Sequence, residues 1–194
     1  MTTAPGEERQ SATDPVRLHE AALRLFARHG VSGTSLQMIA DELGVTKAAV
    51  YYRYKTKDEL VLGVARPFVE QIERIVDAAE TRRGHRARVE AVLTGLVGVI
   101  VDARRLYVVV TSDPSIGDLT LLQPLLHDLG RRLLAVLAGP APDEATRISV
   151  SLFLSGLVGP LHDPACADVP DEVLRGTLLD LGRRLLLPRR ASRA

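Results

Sequence analysis

Residues 34–60 read TSLQMIADELGVTKAAVYYRYKTKDEL, and the fold turns on this stretch. Thr34 with Gln37 three residues on has the spacing of a capping box, so a helix should open near Ser35. Leu36, Ile39, Ala40 and Leu43 recur at helical spacing and give that helix one apolar face. Gly44 supplies a residue that enters the left-handed region at no steric cost and so ends it. Thr46 can cap a second helix through its hydroxyl. That helix must be short, because Thr56 with Glu59 makes another capping box and starts a third. Two short helices joined by a glycine-containing turn form a helix-turn-helix.

The second of these helices has little apolar content beyond Val50, so most of its surface is free for a partner. From Lys47 to Lys57 there is no acidic residue, while Lys47, Tyr51, Tyr52, Arg53, Lys55 and Lys57 all fall there. Lys47 and Ala48 lie at the end of the helix that would enter a major groove. A lysine there can donate to guanine O6 and N7, and an alanine methyl can meet thymine. Tyr51, one turn on, can reach a base or a phosphate. Tyr52, Arg53, Lys55 and Lys57 suit phosphates, as do the hydroxyls of Thr34, Ser35 and Thr56 and the free amides at helix openings. Charge alone would equally describe a solvated face, with Tyr51 or Tyr52 packed on the preceding helix. Spacing, caps and turn together favour double-stranded DNA as the partner.

The stretch from about Val16 to Leu62 resembles the N-terminal DNA-binding domain of the TetR family of bacterial transcriptional regulators. The residues that carry the likeness are LFARHGVSGTSLQMIADELGVTKAAVYYRYKTKDEL. They include an aromatic in the first helix, an Ile-Ala pair, a Gly-Val turn, Tyr-Tyr, and a closing Lys-x-Lys-x-x-Leu. Two positions depart from the family's usual pattern: Arg53 stands where His is common, and Tyr54 where Phe is common. The likeness covers about a quarter of the chain. It implies an all-α fold of about nine helices, with a three-helix DNA-binding domain and a helical ligand-binding and dimerisation domain.

Composition is compatible with this. The 194-residue chain has a formal net charge of +1, so any DNA footprint must come from local clustering. The single cysteine, Cys166, excludes an internal disulfide and fits a reducing bacterial cytoplasm. No run of about 18 apolar residues free of charge or proline is present, so no membrane partner is expected. Aromatic residues make up only 4% and Trp is absent, so the core must be built from Leu, Val and Ala. The expected organisation is a disordered arm over residues 1–12, the DNA-binding domain over 13–62, the ligand-binding and dimerisation domain over 63–188, and a basic tail over 189–194.

Outside the opening stretch, Asp14-Pro15 should start a helix closed by Gly30, with Leu18, Ala22, Leu25 and Phe26 as its core stripe. A helix from Thr56 to about Glu80 contains Pro67, which removes the bond to the Gly63 carbonyl and kinks the helix passively or as a hinge. Residues 82–88 are a polar break, and a helix from His85 to about Asp102 follows. The β-branched run 106–110 is read as a short buried helix rather than a lone strand. Residues 112–118 form a turn, 119–138 a helix, and 139–143 a linker.

Residues 144–161 are apolar nearly all round, which predicts a helix covered on every side, partly by a second copy. Leu152, Ser155 and Gly159 are the interface positions chosen there. In the last helix, from about Pro170 to Leu187, Leu174, Leu178, Leu181 and Leu185 make a coiled-coil-like seam, with Arg175, Arg183 and Arg184 on its other side. A homodimer follows, both from this pattern and from the usual twofold use of helix-turn-helix modules. Phe68, Leu96, Ile100, Tyr107, His127 and Phe153 are candidate walls of a pocket for a small, largely apolar effector, although each reads equally well as ordinary core. No catalytic constellation or cofactor is expected. The cluster His162, Asp163, Cys166 and Asp168 has no standard zinc spacing and reads as a loop. The function expected is that of a ligand-responsive regulator, acting as a repressor, that binds a palindromic operator as a dimer. A DNA-bound structural adaptor without an effector and a helical ligand-binder without DNA recognition are the other readings.

Overall fold

A computed structural model describes residues 14–104 and 123–187, and the side chains of residues 123–126 and 162 are outside that description. The arm, the tail, Tyr107 and the readings made for residues 105–122 fall outside the described residues. Those described form two compact units, divided at Pro67–Phe68.

The first unit holds α1 (Pro15–His29), α2 (Leu36–Leu43), α3 (Lys47–Arg53) and the start of α4 (Lys57–Glu80). Asp14 caps α1, its Oδ1 accepting from Val16 N at 3.1 Å, with Pro15 at the first position. Gly30 closes α1 with φ +70. Gly44 ends α2 at φ +66, in the left-handed region where a β-carbon would be strained. Leu18, Ala22, Phe26, Ile39, Val50 and Leu60 are buried together as the core of this unit. α2 packs on both α1 and α3. Burying each large side chain fully is worth about 1.5–3 kcal/mol, and the short α3 depends on Val50 for this contribution.

The opening cap differs from the sequence reading. Thr34 is 3% exposed and its Oγ1 donates to the Gly30 carbonyl at 2.7 Å. Ser35 is the N-cap instead, its Oγ accepting from Met38 N at 3.2 Å. The turn after α1 needs a partner for that part-buried carbonyl, and Thr34 is close enough to supply it.

The second unit holds the remainder of α4, then α5 (His85–Asp102), α6 (Gln123–Ala138), α7 (Glu144–Gly156) and α8 (Asp171–Leu186). α5 is its centre. Val89, Val92, Leu93, Leu96, Val97, Val99, Ile100 and Val101 are all buried, so this helix is covered nearly all round within its own unit. α8 and α6 pack on α5, and α7 packs on α6 and α8. Close approach is allowed by Gly182, where an added methyl would overlap Leu93 and lie 2.9 Å from the Phe153 ring. Gly95 plays the same part against Ile75. Arg132 of α6 bridges Asp77 at 2.6 Å and Glu80 at 2.8 Å on α4.

The 144–161 segment is not one helix. α7 ends at Gly156, residues 157–158 turn, and a single helical turn spans Gly159–His162. A 3-10 turn, Pro164–Cys166, follows, with Asp163 Oδ1 accepting from Ala165 N at 2.9 Å. Pro160 and Pro164 explain the interruption, since neither carries the amide that a continuous helix requires.

Candidate nucleic-acid interface

α3 is anchored by one residue and offers the others. Val50 is fully buried, whereas Lys47, Ala48, Tyr51, Tyr52 and Arg53 are exposed, Tyr52 to 84%. Thr46 Oγ1 accepts from Ala49 N at 3.3 Å and fixes the start of the helix. The Lys47 ammonium lies 5.2 Å from the Tyr51 ring centroid, and Lys55 lies 5.7 Å from that of Tyr52. Each cation–π contact of this exposed kind is worth about 0.5–1 kcal/mol, so the lysines and tyrosines present themselves in pairs.

The residues flanking α3 are held by their own bonds. Glu59 N donates to Thr56 Oγ1 at 3.1 Å, and Glu59 Oε2 accepts from Lys55 N at 2.6 Å. This is the anticipated capping box, with the glutamate reaching one residue further back than the pattern requires. Lys57 Nζ donates to the Ser32 carbonyl at 3.1 Å, which leaves two of its three N–H groups for a phosphate. Ser35 is exposed and keeps its hydroxyl proton available while it caps α2. Thr34, by contrast, is turned inward. Nearby, Glu42 of α2 pairs with Arg24 at 3.2 Å and Arg28 at 3.8 Å of α1, so its charge is offset within the unit.

The far end of α3 rests on a contact with no local sequence signal. Tyr54 caps the helix and its hydroxyl is 2.6 Å from His19 Nε2 on α1. The two rings are tilted at 44°, with centroids 5.9 Å apart. On the other side Tyr54 lies against Gly63 of α4, where a β-carbon would be 2.5 Å from its hydroxyl. Tyr54 therefore ties the end of α3 to both α1 and α4. Burial and the neighbouring Arg53 charge push the His19 imidazole below its usual range, opposed by Asp14. Burial raises the Tyr54 phenol, opposed by Arg53.

A histidine whose folded value is depressed is neutral in the fold and protonates more readily once unfolded. Stability from this source is therefore fully present above the unfolded value of about 6.5 and is lost as pH falls from there through the folded value. Melting followed by circular dichroism should show a lower transition temperature at pH 5.5 than at pH 7.5, with a smaller difference in His19→Gln. An identical pH dependence in the variant would mean that His19 does not carry the effect.

In the second unit the seam expected along the last helix divides between two faces. Leu174 and Leu178 are buried in the unit's own core, beside Gly182 and Leu186 on the i+4 row. Leu181 and Leu185 lie on the adjacent row with Val173 and are 50%, 39% and 55% exposed. Arg175 and Arg183 are not on a free face either. They pair with Asp102 at 2.7 Å and Glu90 at 2.7 Å on α5. On α7, Val150 and Phe153 are buried, while Ile148 and Leu152 are each 59% exposed, with Ser155 and Gly159 exposed further along. Of the expected pocket walls, Leu96, Ile100 and Phe153 are buried as core, Phe68 is half-buried and His127 is exposed. None of them lines the grooves described for this unit. Among the described residues, no group of three or more His, Cys, Asp or Glu side chains is placed to hold a metal ion. No described helix is long and apolar enough to cross a membrane.

A helix-turn-helix unit presenting a basic, aromatic recognition helix, followed by an all-helical unit, defines a class of DNA-binding regulators. The sequence profile described as bacterial regulatory proteins, tetR family, matches residues 18–64. Over that stretch the chain carries the DNA-binding domain of the tetR family of bacterial regulatory proteins. It is 38% identical over 77 residues to the nicotine-responsive transcriptional repressor HdnoR of Paenarthrobacter nicotinovorans, covering 38% of this chain and 40% of that protein. It is 30% identical over 80 residues to the transcriptional repressor KstR2 of Mycolicibacterium smegmatis, covering 39% of each. The chain thus spans less than half the length of the curated relatives it matches. A solved transcriptional regulator from Aquifex aeolicus shares the fold, with a TM-score of 0.69 at 19% identity over 86% of this chain and 95% of that one.

Proposed function

We propose that the protein is a ligand-responsive transcriptional repressor that binds a palindromic operator as a homodimer and is released by a small effector. The observation that carries the DNA-binding part is α3 itself: seven residues, one buried anchor at Val50, and Lys47, Ala48, Tyr51 and Tyr52 turned to solvent. Lys47 and Ala48 read base edges at the start of the helix. Tyr51 extends that contact, and Tyr52, Arg53, Lys55, Thr56, Lys57 and Ser35 hold phosphates. A gel shift on the DNA upstream of the protein's own coding region tests this. Lys47→Ala and Tyr51→Ala should each weaken binding by about 10- to 100-fold. Wild-type affinity in both variants would remove α3 as the reading element.

Dimerisation rests on the outward row of α7 and α8. Ile148, Leu152, Val173, Leu181 and Leu185 are large apolar side chains left exposed on two helices that pack together, and exposed patches of that kind mark association surfaces. Two copies bring two recognition helices to half-sites about 34 Å apart. Light scattering should find a dimer for the wild type and a monomer for Leu152→Asp, since a carboxylate placed opposite its own symmetry mate is buried without a partner. A monomeric wild type would overturn the arrangement. Effector release then requires only that the ligand prefer the conformation unsuited to DNA, a coupling of about 1–3 kcal/mol. Support for an effector comes from HdnoR, a nicotine-responsive repressor.

A further inference from the structure

The end of α4 and the beginning of α5 border two shallow, open surface grooves that neither α3 nor the α7–α8 row accounts for. One groove of about 560 Å³ runs between the helices, floored by Ile75, Ala78 and Ala91. It shares Ala87 and Glu90 with a second, of about 700 Å³, at the turn joining the helices. Volumes of this order match small-molecule sites. Taken together the two grooves are lined from Gly84, the residue before α5, to Gly95, about 16 Å along the helix.

Charge is distributed unevenly along it. Arg82, Arg83 and Arg86 line the turn end, and among the described residues none has a carboxylate within ion-pair distance. Glu90 is the acid that lines both grooves, and it is occupied by Arg183 at 2.7 Å. Asp77 and Glu80, near in sequence, are held by Arg132. Arg82 thus borders the groove between the helices and Arg83 and Arg86 the one at the turn, none with a paired carboxylate among the described residues, while the first groove also presents alanine methyls and Ile75. The first turn of α5 contains no acidic residue and has no side-chain cap, so the helix dipole adds to the positive field.

We propose that this groove binds an amphipathic anion. A carboxylate or phosphate head is held by Arg82, Arg83 and Arg86, and an apolar tail lies along Ala87, Ala91 and Ala78. Guanidinium forks match planar oxyanions, and the small side chains leave the tail room to lie against the helix backbones. An anion without a tail would leave the floor wet, and a neutral chain would leave the arginines without a counter-charge.

Titration calorimetry on the full chain tests the site directly, without DNA. Decanoate should bind, and more weakly as salt rises. Acetate, inorganic phosphate and decanol should each bind at least about tenfold more weakly than decanoate. The double substitution Arg83→Ala with Arg86→Ala should reduce decanoate affinity about tenfold or more. Ala78→Glu, which places a charge on the floor, should do the same. All these positions are exposed, so the melting temperatures should stay at the wild-type value. Unchanged decanoate binding in either variant would place the ligand elsewhere and overturn the proposal. So would equal binding of decanol, of acetate or of phosphate, or no decanoate binding by the wild type. Failure of the gel shift would leave this result untouched, since the two assays share no component but the protein.

Discussion

Gly63→Ala should destabilise the DNA-binding unit and weaken DNA binding, although alanine is the better helix former. A β-carbon at this position would sit 2.5 Å from the Tyr54 hydroxyl, 2.7 Å from Cε1 and 2.8 Å from Cζ. Tyr54 cannot swing away without giving up its 2.6 Å bond to His19, so the strain passes into α3, whose last turn Tyr54 caps. Overpacking of this kind costs about 1–3 kcal/mol. The helix propensity gained, about 1 kcal/mol, offsets only part of it. A thermal melt should show the loss, and a gel shift should show reduced affinity for any operator that the wild type binds. Adding Tyr54→Phe removes the atom in shortest contact, so the double variant should be more stable than the sum of the single effects. A melting temperature for Gly63→Ala at or above wild type would show that Tyr54 yields freely and does not fix the recognition helix.

Arg104→Met should produce the largest loss in the second unit. The Arg104 side chain is only 14% exposed. Its guanidinium donates to the carbonyls of Cys166, of Ala167 at 3.0 Å and of Val169 at 2.9 Å, and approaches Asp171 at 3.4 Å. One side chain thus satisfies the carbonyls of the connection that delivers the chain into α8. Methionine fills similar volume but donates nothing, which leaves the Ala167 and Val169 carbonyls short of a donor and the Cys166 carbonyl with Val169 N alone at 3.2 Å. Charge-assisted bonds of this type contribute about 1.5–3 kcal/mol each and are not additive, so a total of about 3 kcal/mol is expected. In a chain of this size that corresponds to a fall of about 6–12 °C in melting temperature. Amide exchange should accelerate first in residues 166–174. Lysine should restore only part of the stability, because a single ammonium cannot reproduce the planar fork. An unchanged melt for the methionine variant would mean that water replaces the guanidinium at no cost.

The two predictions fall where sequence reasoning had least to work with. Caps and turns were legible: Asp14, Gly30, Gly44, Thr46 and the Thr56–Glu59 pair stand where residue chemistry placed them. Each is a contact within about four residues, decided by the backbone geometry that its side chain can complete. Thr34 failed by one position because a neighbouring carbonyl, at Gly30, competed for its hydroxyl. Arg104 and its loop are separated by more than sixty residues, and His19 and Tyr54 by 35. No periodicity in a single helix encodes such a pairing.

Apolar faces show the same division. Counting hydrophobic residues singled out the 144–161 segment as apolar nearly all round and gave the 85–102 helix no such mark. Tertiary packing puts α5 at the centre, where α6 and α8 cover it, and leaves Ile148 and Leu152 of α7 exposed. In α8 the leucines at 174, 178, 181 and 185 follow one sequence rhythm, yet two face inward and two outward. A helix turns 100° per residue, so a stripe of alternating threes and fours spans enough arc to straddle the edge of a contact. Only the neighbouring helix decides where that edge falls.

By itself, then, the sequence determined the helix boundaries of the first unit, because these depend on short-range capping, and the absence of acid from Lys47 to Lys57 marked α3 as a surface for an anionic partner. The tertiary structure alone decided which side chain holds α3 in place, which leucines are core and which are free, and where three arginines have no paired carboxylate among the described residues. Those outcomes depend on distances between residues far apart in the chain, and such distances are settled only when the helices pack.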